Sequence, residues 1–330
     1  MKFLQIGLGS MGKRRIRCLK SLGYKDMLGF DLREDRRREV EEKYGIKTIA
    51  CLDEVDFKAI DFIIVSTPPD YHTPYIDLAI KKGKPVFVEA SVLLSILEQL
   101  NKKARKRGVP IYPSCTMKFH PSIKEITEVV RGKKYGKVTN FSYHIGQYLP
   151  DWHPFENVKD FYVSKKETSA AREMVPFEMT WIVDVAGFPK KIVGFVGKTM
   201  DVGCDIEDTY AIAMKFPNDI YGTATVDVCA RYATRTLLLN MEYGQILWRW
   251  DDNIVKIYEA NTKRWINIHP PEAQGAAEGY NKNIIEQMYI DELDSAIKAS
   301  LNKGEFPNTL DNDIAILKLL LKVEEFNAKQ

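Results

Sequence analysis

The sequence predicts an α/β protein, with a doubly wound parallel sheet in the N-terminal domain and an α+β C-terminal domain. Two observations predict this fold. In the first third of the chain, short apolar runs alternate with helical patterns, which is typical of a parallel sheet covered by helices. From about His120, strand-like runs follow one another directly. We therefore expect domains at residues 1–119 and 120–330, with the last helix able to pack back on the first domain.

The N-terminal elements can be followed in order. A strand, "KFLQIG", is followed by a glycine-rich turn and a helix with Ile16, Leu19 and Leu22 on one face. The strand "MLGFD" and a charged helix come next, and "DFIIVST" is apolar enough to be buried on both faces. The helix "TPYIDLAIKKG", the strand "PVFVEA", a further helix and the strand "VPIYPSC" complete the domain. Right-handed crossovers place every carboxyl end of these strands at one edge, where ligands bind.

The C-terminal elements predict a meander. The run "KVTNFSYHIGQYL" alternates like a strand, and residues 208–232 predict a hairpin around Pro217. The strands "RTLLLNMEY", "GQILWRW" and "NIVKIYE" continue the sheet, and two late helices follow at about residues 283–299 and 311–326. A sheet of this size has one face on its own helices, and exposure of the other favours self-association.

Composition excludes several classes of protein. The chain has 330 residues, 45% hydrophobic and 28% charged, with a net charge of +3, so neither nucleic acid nor membrane is an expected partner. The basic runs "KRRIR", "REDRRR" and "KKARKR" are interpreted as solvated helix faces. The five cysteines form no CxxC pair, and the five histidines have no HxH or HxxxH spacing. We therefore expect a cytoplasmic protein without a metal site.

The first turn carries a dinucleotide-binding fingerprint. "GLGSMG" gives GxGxxG at Gly7, Gly9 and Gly12, and Asp31 ends the second strand 19 residues later. This context predicts a Rossmann domain, with a pyrophosphate at the helix N-terminus and Asp31 on the adenosine ribose. Because its carboxylate would repel a 2′-phosphate, Asp31 favours NAD over NADP, although Arg33 could accommodate that phosphate.

Three later motifs carry a family resemblance: "STPPDYH" from Ser66 to His72, "EAS" from Glu89 to Ser91, and "MKFHP". In this order, and after "GLGSMG" and Asp31, they resemble the Gfo/Idh/MocA oxidoreductases over essentially the whole chain. The resemblance implies that residues 67–72 wrap the nicotinamide. It also implies a C-terminal domain on an open, mostly antiparallel sheet, through which members pair, so we expect a homodimer or homotetramer. The predicted cofactor-binding residues are Gly7, Leu8, Gly9, Ser10, Met11, Gly12, Asp31, Leu32, Arg33, Ser66, Thr67, Pro68, Pro69, His72, Glu89 and Ala90.

The chain departs from the family pattern at its catalytic positions. The family usually has Glu-Lys-Pro where this chain has Glu89-Ala90-Ser91, so the lysine that commonly orients the substrate hydroxyl is absent. The second signature is Asp-x-x-x-His-x-x-Asp on a helix. If Asp184 matches its last acid, Trp181 stands at the histidine and Phe177 at the aspartate.

Other residues are candidates to replace these groups. The catalytic candidates are Lys118, Glu173 and His153. The substrate-binding candidates are Glu89, Tyr148, Trp152 and Arg172, since aromatic rings pack on sugar C–H faces and Arg binds carboxylate or phosphate. Capping and salt-bridge roles remain open for Arg172, Glu173 and Lys118, as does simple exposure for His153.

The sequence therefore supports two functions. One is an NAD(P)-dependent oxidoreductase acting on a sugar, or on an activated or acidic sugar, of the kind used in surface-polysaccharide or nonulosonic-acid pathways. The other is a nicotinamide-binding protein without net redox turnover: a lyase or epimerase that uses NAD transiently, or a degenerate sensor or partner subunit.

Overall fold

A computed structural model describes residues 1–152, 157–271, 275 and 285–330. The chain forms two compact units: Met1–Thr116 with Ile285–Ile314, and Met117–Ile284 with Ala315–Gln330. We predicted a boundary at residues 119/120, with the last helix able to pack back on the first domain. In the structure, residues 285–314 instead pack with the first unit.

The first unit contains a parallel sheet and its covering helices. The strands are β1 (Phe3–Ile6), β2 (Met27–Phe30), β3 (Lys47–Ile49), β4 (Phe62–Val65), β5 (Val86–Val88) and β6 (Ile111–Pro113). The helices that intervene are α1 (Ser10–Ser21), α2 (Glu34–Tyr44), α3 (His72–Lys82) and α4 (Leu94–Arg107). The strand order is β3-β2-β1-β4-β5-β6, and every pair is parallel. This is the order of dinucleotide-binding domains, and it confirms the predicted doubly wound sheet.

Local sequence accounts for these elements. The four residues of β1 and the four of β4 are buried, as expected for central strands covered on both faces. The helix α3 ends at Gly83, which adopts φ 65° and lets its N–H bond back to the last turn. The predicted glycine stop of this helix is thus observed.

The second unit is built on a larger sheet. Its strands are β7 (Val138–Gly146), β8 (Lys191–Gly197), β9 (Thr209–Lys215), β10 (Tyr221–Asp227), β11 (Thr234–Met241), β12 (Gly244–Arg249), β13 (Ile254–Glu259) and β14 (Arg264–Ile268). The strand order is β14-β13-β12-β11-β7-β10-β9-β8, antiparallel except between β7 and β10. This confirms the mostly antiparallel sheet.

The other α-helices of the described residues are α5 (Pro121–Arg131), α6 (Ala170–Ala186), α7 (Glu286–Ser300) and α8 (Leu310–Asn327). The helices α5 and α6 pack on the second sheet, whereas α7 packs on α1 in the first unit. The predicted hairpin around Pro217 is present as β9 and β10, with Asn218 in the left-handed region at φ 61°. In the described part of the chain, none of the helices combines the length and apolar character needed to cross a bilayer.

Candidate functional site

Glycines let the chain turn sharply between β1 and α1. Gly7 has φ 85°, and a side chain there would overlap the carbonyl oxygen of Ser66. A side chain on Gly12 would overlap the carbonyl oxygen of Gly7. Ser10 and Met11 begin α1, which has neither a side-chain cap nor an acid in its first turn in this described segment. The helix N-terminus therefore keeps the positive end of its dipole for an anion.

Asp31 lies beside this turn, directly after β2. Its Oδ2 accepts from the backbone N–H of Leu8 at 2.8 Å, and its Oδ1 accepts from that of Arg33 at 2.9 Å. The carboxylate is nearly buried and held in one orientation, with further acceptor capacity for ribose hydroxyls. Leu32 is exposed, and the Arg33 side chain pairs with Asp35.

His72 holds the loop after β4 against the loop after β5. Its Nε2 lies 2.8 Å from the carbonyl oxygen of Thr67, and its Nδ1 lies 2.9 Å from Ser91 Oγ. Burial lowers the pKa of His72 to about 4, so the ring is neutral near pH 7. A carbonyl can only accept, so Nε2 donates to Thr67 and Nδ1 accepts from Ser91. Both nitrogens are thereby used in positioning the loops.

The same loop offers polar groups at the sheet edge. Ser66 Oγ donates to Glu89 Oε1 at 3.1 Å. Thr67 Oγ1 is buried and, among the described residues, has no hydrogen-bond partner, which suits a group that a ligand satisfies. Pro68 precedes a short 3₁₀ turn that begins at Pro69 and leads into α3.

Glu89, at the end of β5, belongs to a buried ionic network. Arg15 donates to both of its carboxylate oxygens, Nε to Oε1 at 2.7 Å and Nη2 to Oε2 at 2.8 Å. Arg15 Nη1 lies 2.8 Å from Oε2 of Glu292 on α7. Glu292 also accepts from the backbone N–H of Cys115 at 2.6 Å. Charge on Glu89 is therefore balanced within the protein, and Ala90 beside it presents only a methyl group.

This network corrects one sequence interpretation. We expected "KRRIR" to be a solvated helix face, yet Arg14 is buried and Arg15 is 0% exposed. Their partners are carboxylates of α7, with Arg14 Nε 3.2 Å from Glu286 Oε2. Neither Arg15 nor Glu292 was predicted as part of the site. The sequence feature that could have indicated this network is the pair of adjacent arginines, Arg14 and Arg15, in the helix that follows the glycine turn.

A second group of candidates lies on α6 in the second unit. Glu173, Phe177 and Asp184 are each partly exposed. Phe177 and Asp184 follow Glu173 by four and eleven residues, so the three side chains lie within about 40° of one another around the helix axis. We call these three residues the α6 stripe. Glu173 Oε1 accepts from Tyr162 Oη at 3.2 Å, and Asp184 Oδ1 lies 3.1 Å from Lys118 Nζ. The α6 stripe thus carries two carboxylates and one aromatic ring. The buried ammonium group of Lys118 contacts one of these carboxylates, that of Asp184.

Two other predicted substrate residues, Arg172 and Tyr148, contact charged side chains of this unit. Arg172 Nε lies 2.7 Å from Glu324 Oε1, so the guanidinium is committed to a salt bridge on α8. The guanidinium of Arg231 lies 3.7 Å from the ring centre of Tyr148. Trp152 Nε1 is buried with no hydrogen-bond partner in the described part. The candidate His153 lies outside the described residues.

Trp181 points into the interior of the second unit. It is 1% exposed, donates from Nε1 to Glu178 Oε2 at 2.9 Å, and contacts the Tyr143 ring edge-on at 5.1 Å. Glu178 also pairs with Arg235 at 2.7 Å. Position 181 therefore supports a buried polar cluster rather than an accessible acid or base.

The residues of the first unit fit a dinucleotide. The glycine turn leaves room for a backbone approach to phosphate, the Asp31 carboxylate is held in one orientation with acceptor capacity left, and Thr67 offers an unsatisfied hydroxyl. No cluster of three metal-ligating side chains occurs in the ranges that the structure describes. The arrangement is that of an organic cofactor site.

Comparisons with known proteins agree with this geometry. Residues 1–113 match the family described as "Oxidoreductase family, NAD-binding Rossmann fold", and residues 123–247 match the "GFO/IDH/MocA C-terminal domain". The myo-inositol 2-dehydrogenase of Thermotoga maritima is 26% identical over 143 residues, which is 42% of this chain and 42% of that protein. The match thus spans about two fifths of this curated relative.

Solved structures share the fold over nearly the whole chain. An oxidoreductase from Agrobacterium radiobacter in complex with NAD⁺, L-tartaric acid and magnesium has a TM-score of 0.85 at 13% identity, covering 99% of this chain and 96% of that one. A levoglucosan dehydrogenase in complex with NADH also has a TM-score of 0.85 at 13% identity, covering 100% and 97%. At these identities the likeness shows the fold.

Proposed function

This chain belongs to the Gfo/Idh/MocA oxidoreductase family, and from that premise we propose that it is an NAD-dependent oxidoreductase acting on a sugar, or on an activated or acidic sugar. The observation that carries the proposal is the fixed Asp31 carboxylate beside the glycine turn. Family relatives named for inositol and levoglucosan support a polyhydroxylated substrate. An activated or acidic sugar of surface-polysaccharide or nonulosonic-acid metabolism remains our specific suggestion.

The cofactor residues have distinct tasks. The α1 N-terminus would bind the pyrophosphate, and Asp31 would accept from the adenosine ribose. Thr67 and Ser66 offer hydroxyls on the nicotinamide side, where His72 fixes the loop. When bound, a nicotinamide exchanges a hydride with a substrate carbon. Arg15 neutralises Glu89 at this edge, so Glu89 serves to position groups rather than to accept a proton.

The α6 stripe supplies the groups for proton transfer. Glu173 is partly exposed, and its Oε1 accepts a hydrogen bond from Tyr162. Its carboxylate is the group that takes the proton of a sugar hydroxyl. Lys118 is nearly buried and holds Asp184 by charge. Phe177 between the two carboxylates offers an apolar surface for the C–H face of a sugar ring.

A second function is favoured by one observation. Ala90 follows Glu89 at the end of β5, and Trp181 on α6 is buried. In the alignment proposed from the sequence, these two residues replace the family's lysine and histidine. A protein that binds NAD(H) without net redox turnover, such as an epimerase, a lyase or a sensor, would tolerate both replacements. Binding and turnover must therefore be measured separately.

The proposal is tested by measuring NADH affinity and catalytic turnover in the wild type and in variants of Glu173 and Lys118. We expect the wild type to bind NADH by fluorescence titration and to change reduced-nicotinamide absorbance with at least one member of a panel of nucleotide sugars, sugar acids and inositols. Glu173→Gln keeps the size of the side chain but removes the base, so turnover should fall by roughly 10²–10⁴-fold. Lys118→Ala should reduce turnover because Asp184 loses its partner. NADH affinity should be unchanged in both.

Lys190→Ala, which removes an exposed ammonium of the same unit, is the control and should retain full turnover. Turnover by Glu173→Gln at the wild-type rate would remove Glu173 from the mechanism. NADH binding without turnover on any panel member would favour the second function.

A further inference from the structure

We propose that Tyr162 is a positioning residue for Glu173, a proposal that rests on the proposed function. The Tyr162 hydroxyl donates to Glu173 Oε1 at 3.2 Å. Both side chains are partly exposed, so the carboxylate remains accessible while it holds this contact. The hydrogen bond orients the carboxylate through one of its two oxygens, and it favours the ionised form that accepts a proton.

The backbone of Tyr162 is itself held in place. Tyr162 begins a short 3₁₀ turn in the segment that leads into α6. Its carbonyl oxygen accepts from Thr168 Oγ1 at 2.7 Å and from the backbone N–H of Lys165 at 3.2 Å. Thr168 and the neighbouring Val163 are buried. The phenol therefore reaches α6 from an anchored segment, as a group that supports a reactive side chain should.

Glu173 needs a contact of this kind. It lies in the first turn of α6, where its backbone N–H donates to the carbonyl oxygen of Ser169 at 2.8 Å. This bond fixes the backbone but leaves the rotatable bonds of the side chain. Tyr162, eleven residues earlier in the chain, constrains the carboxylate at the far end of those bonds. A base must lie within hydrogen-bond reach of the proton that it takes, so a constrained carboxylate reacts more often.

A phenol also suits the difference between the two acids of the α6 stripe. It carries no charge near pH 7, so it orients a carboxylate without neutralising it. Asp184, the other acid, lies 3.1 Å from the ammonium nitrogen of Lys118. The two carboxylates thus contact partners of different charge, and different surroundings give similar acids different tasks.

Tyr162→Phe removes only the hydroxyl and is the central test. With the substrate of the panel that the wild type turns over fastest, we expect kcat to fall roughly 10-fold, the order expected for one hydrogen bond to a charged group. The acidic limb of the pH profile of kcat should move up by about one unit, because the ionised carboxylate loses a donor. NADH affinity and the urea midpoint should stay at wild-type values.

Tyr232→Phe is the matched control, because the Tyr232 side chain of the same unit is exposed. It should equal the wild type in turnover, pH profile and stability. If Tyr162 contributed only to the fold, Tyr162→Phe would lower the urea midpoint and leave the pH profile in place, which would overturn the assignment.

A double variant tests whether Tyr162 acts through Glu173. Adding Tyr162→Phe to Glu173→Gln should reduce turnover by less than about twofold further, since the two residues then serve one step. Losses that multiply in the double variant would contradict the positioning role.

A measurement without turnover separates this proposal from the proposed function. In protein labelled with ¹³C at the glutamate carboxyl carbons, the Glu173 signal is the one that Glu173→Gln removes. Its titration midpoint should rise by about one pH unit in Tyr162→Phe. An unchanged midpoint would overturn the positioning role even in an active enzyme. The expected rise in a protein that turns over no member of the panel would support the contact and overturn the proposed function.

Discussion

The ring of His72 connects two loops at the carboxyl edge of the first sheet, and it does so in its neutral form. Burial lowers the pKa of His72 to about 4, below the value of about 6.5 that the unfolded chain would have. His120, which accepts from the backbone N–H of Ser122 at the start of α5, is also buried, and its pKa is lowered to about 3. Protonation of either ring in the folded protein would place a positive charge in a buried site.

We predict that acid destabilises the fold through these two rings. Between about pH 6.5 and pH 4, the unfolded chain binds protons that the folded chain does not, so the free energy of unfolding decreases as the pH falls. For His72 the loss amounts to at most about 3.5 kcal/mol, because the two pKa values differ by about 2.5 units and each unit is worth about 1.4 kcal/mol. Denaturant midpoints measured from pH 7.5 to pH 4.5 check this expectation.

His72→Gln should lower the midpoint at pH 7.5 and reduce its dependence on pH, since glutamine does not titrate. His269→Gln changes an exposed ring and is the control for substitution itself. A His72→Gln protein with the same pH dependence as the wild type would show that His72 does not titrate between the two states.

At the level of elements, α7 belongs to the first unit because of buried charge. Glu286 pairs with Arg14 and Arg17 of α1, and Glu292 pairs with Arg15. The Tyr289 ring between these acids lies 4.2 Å from the guanidinium carbon of Arg14. An isolated buried charge is costly, so these pairs hold α7 on α1 only while both partners are present.

We predict that Glu292→Ala destabilises the protein by roughly 3–5 kcal/mol, because it removes one partner of a buried ion pair and leaves the hydroxyl and N–H donors around it unsatisfied. Glu292→Gln keeps an acceptor for Ser114 and Cys115 and should cost less. Urea unfolding measures the stability of both variants. Because Glu89 shares Arg15 with Glu292, a change in NADH affinity would report a movement of Glu89. Glu305→Ala, at an exposed position of the same unit, is the control. Equal stability of Glu292→Ala and Glu305→Ala would contradict the role of this network.

Local patterns predicted most of the first sheet and the glycine turn that lies beside Asp31. Short local patterns indicate the glycine turn, the acid at Asp31 and the buried strands β1 and β4. Their prediction therefore needed no information about long-range contacts. The short strand β3, the edge strands β8 and β14 and the helix α5 were missed; β14 is almost wholly exposed and carries no buried face. Short or solvated elements leave a weak periodicity.

The packing of charged groups was harder to predict. A local pattern cannot show that Arg15 meets Glu292, because the two residues are far apart in the chain and charged side chains in helices are usually solvated. The burial of Trp181 was equally hard to predict, because its hydrogen bond to Glu178 and its contact with Tyr143 depend on tertiary structure.

At the scale of the whole molecule, the sheet of the second unit has an inner and an outer face. Tyr143, Leu237 and Trp248 share the buried inner face. The outer face carries the exposed residues Phe195, Tyr221, Leu238 and Trp265 among serine, threonine and asparagine side chains. Large apolar side chains spread across an exposed sheet are typical of an interaction surface.

We predict that copies of this chain self-associate through the outer face, as a homodimer or homotetramer. Leu238 lies on β11 near the middle of the sheet, where its cross-strand partners are Ser142 and Leu247. A stable interface buries about 800 Å² per partner, so an aspartate at the centre of the patch would place unpaired charge in the most desolvated part. Leu238→Asp should therefore shift the protein to monomer, as measured by light scattering at micromolar concentration, with an unchanged far-UV spectrum. Tyr243→Asp, at the exposed turn between β11 and β12, should keep the oligomer. A wild type that is monomeric under these conditions would refute this interface.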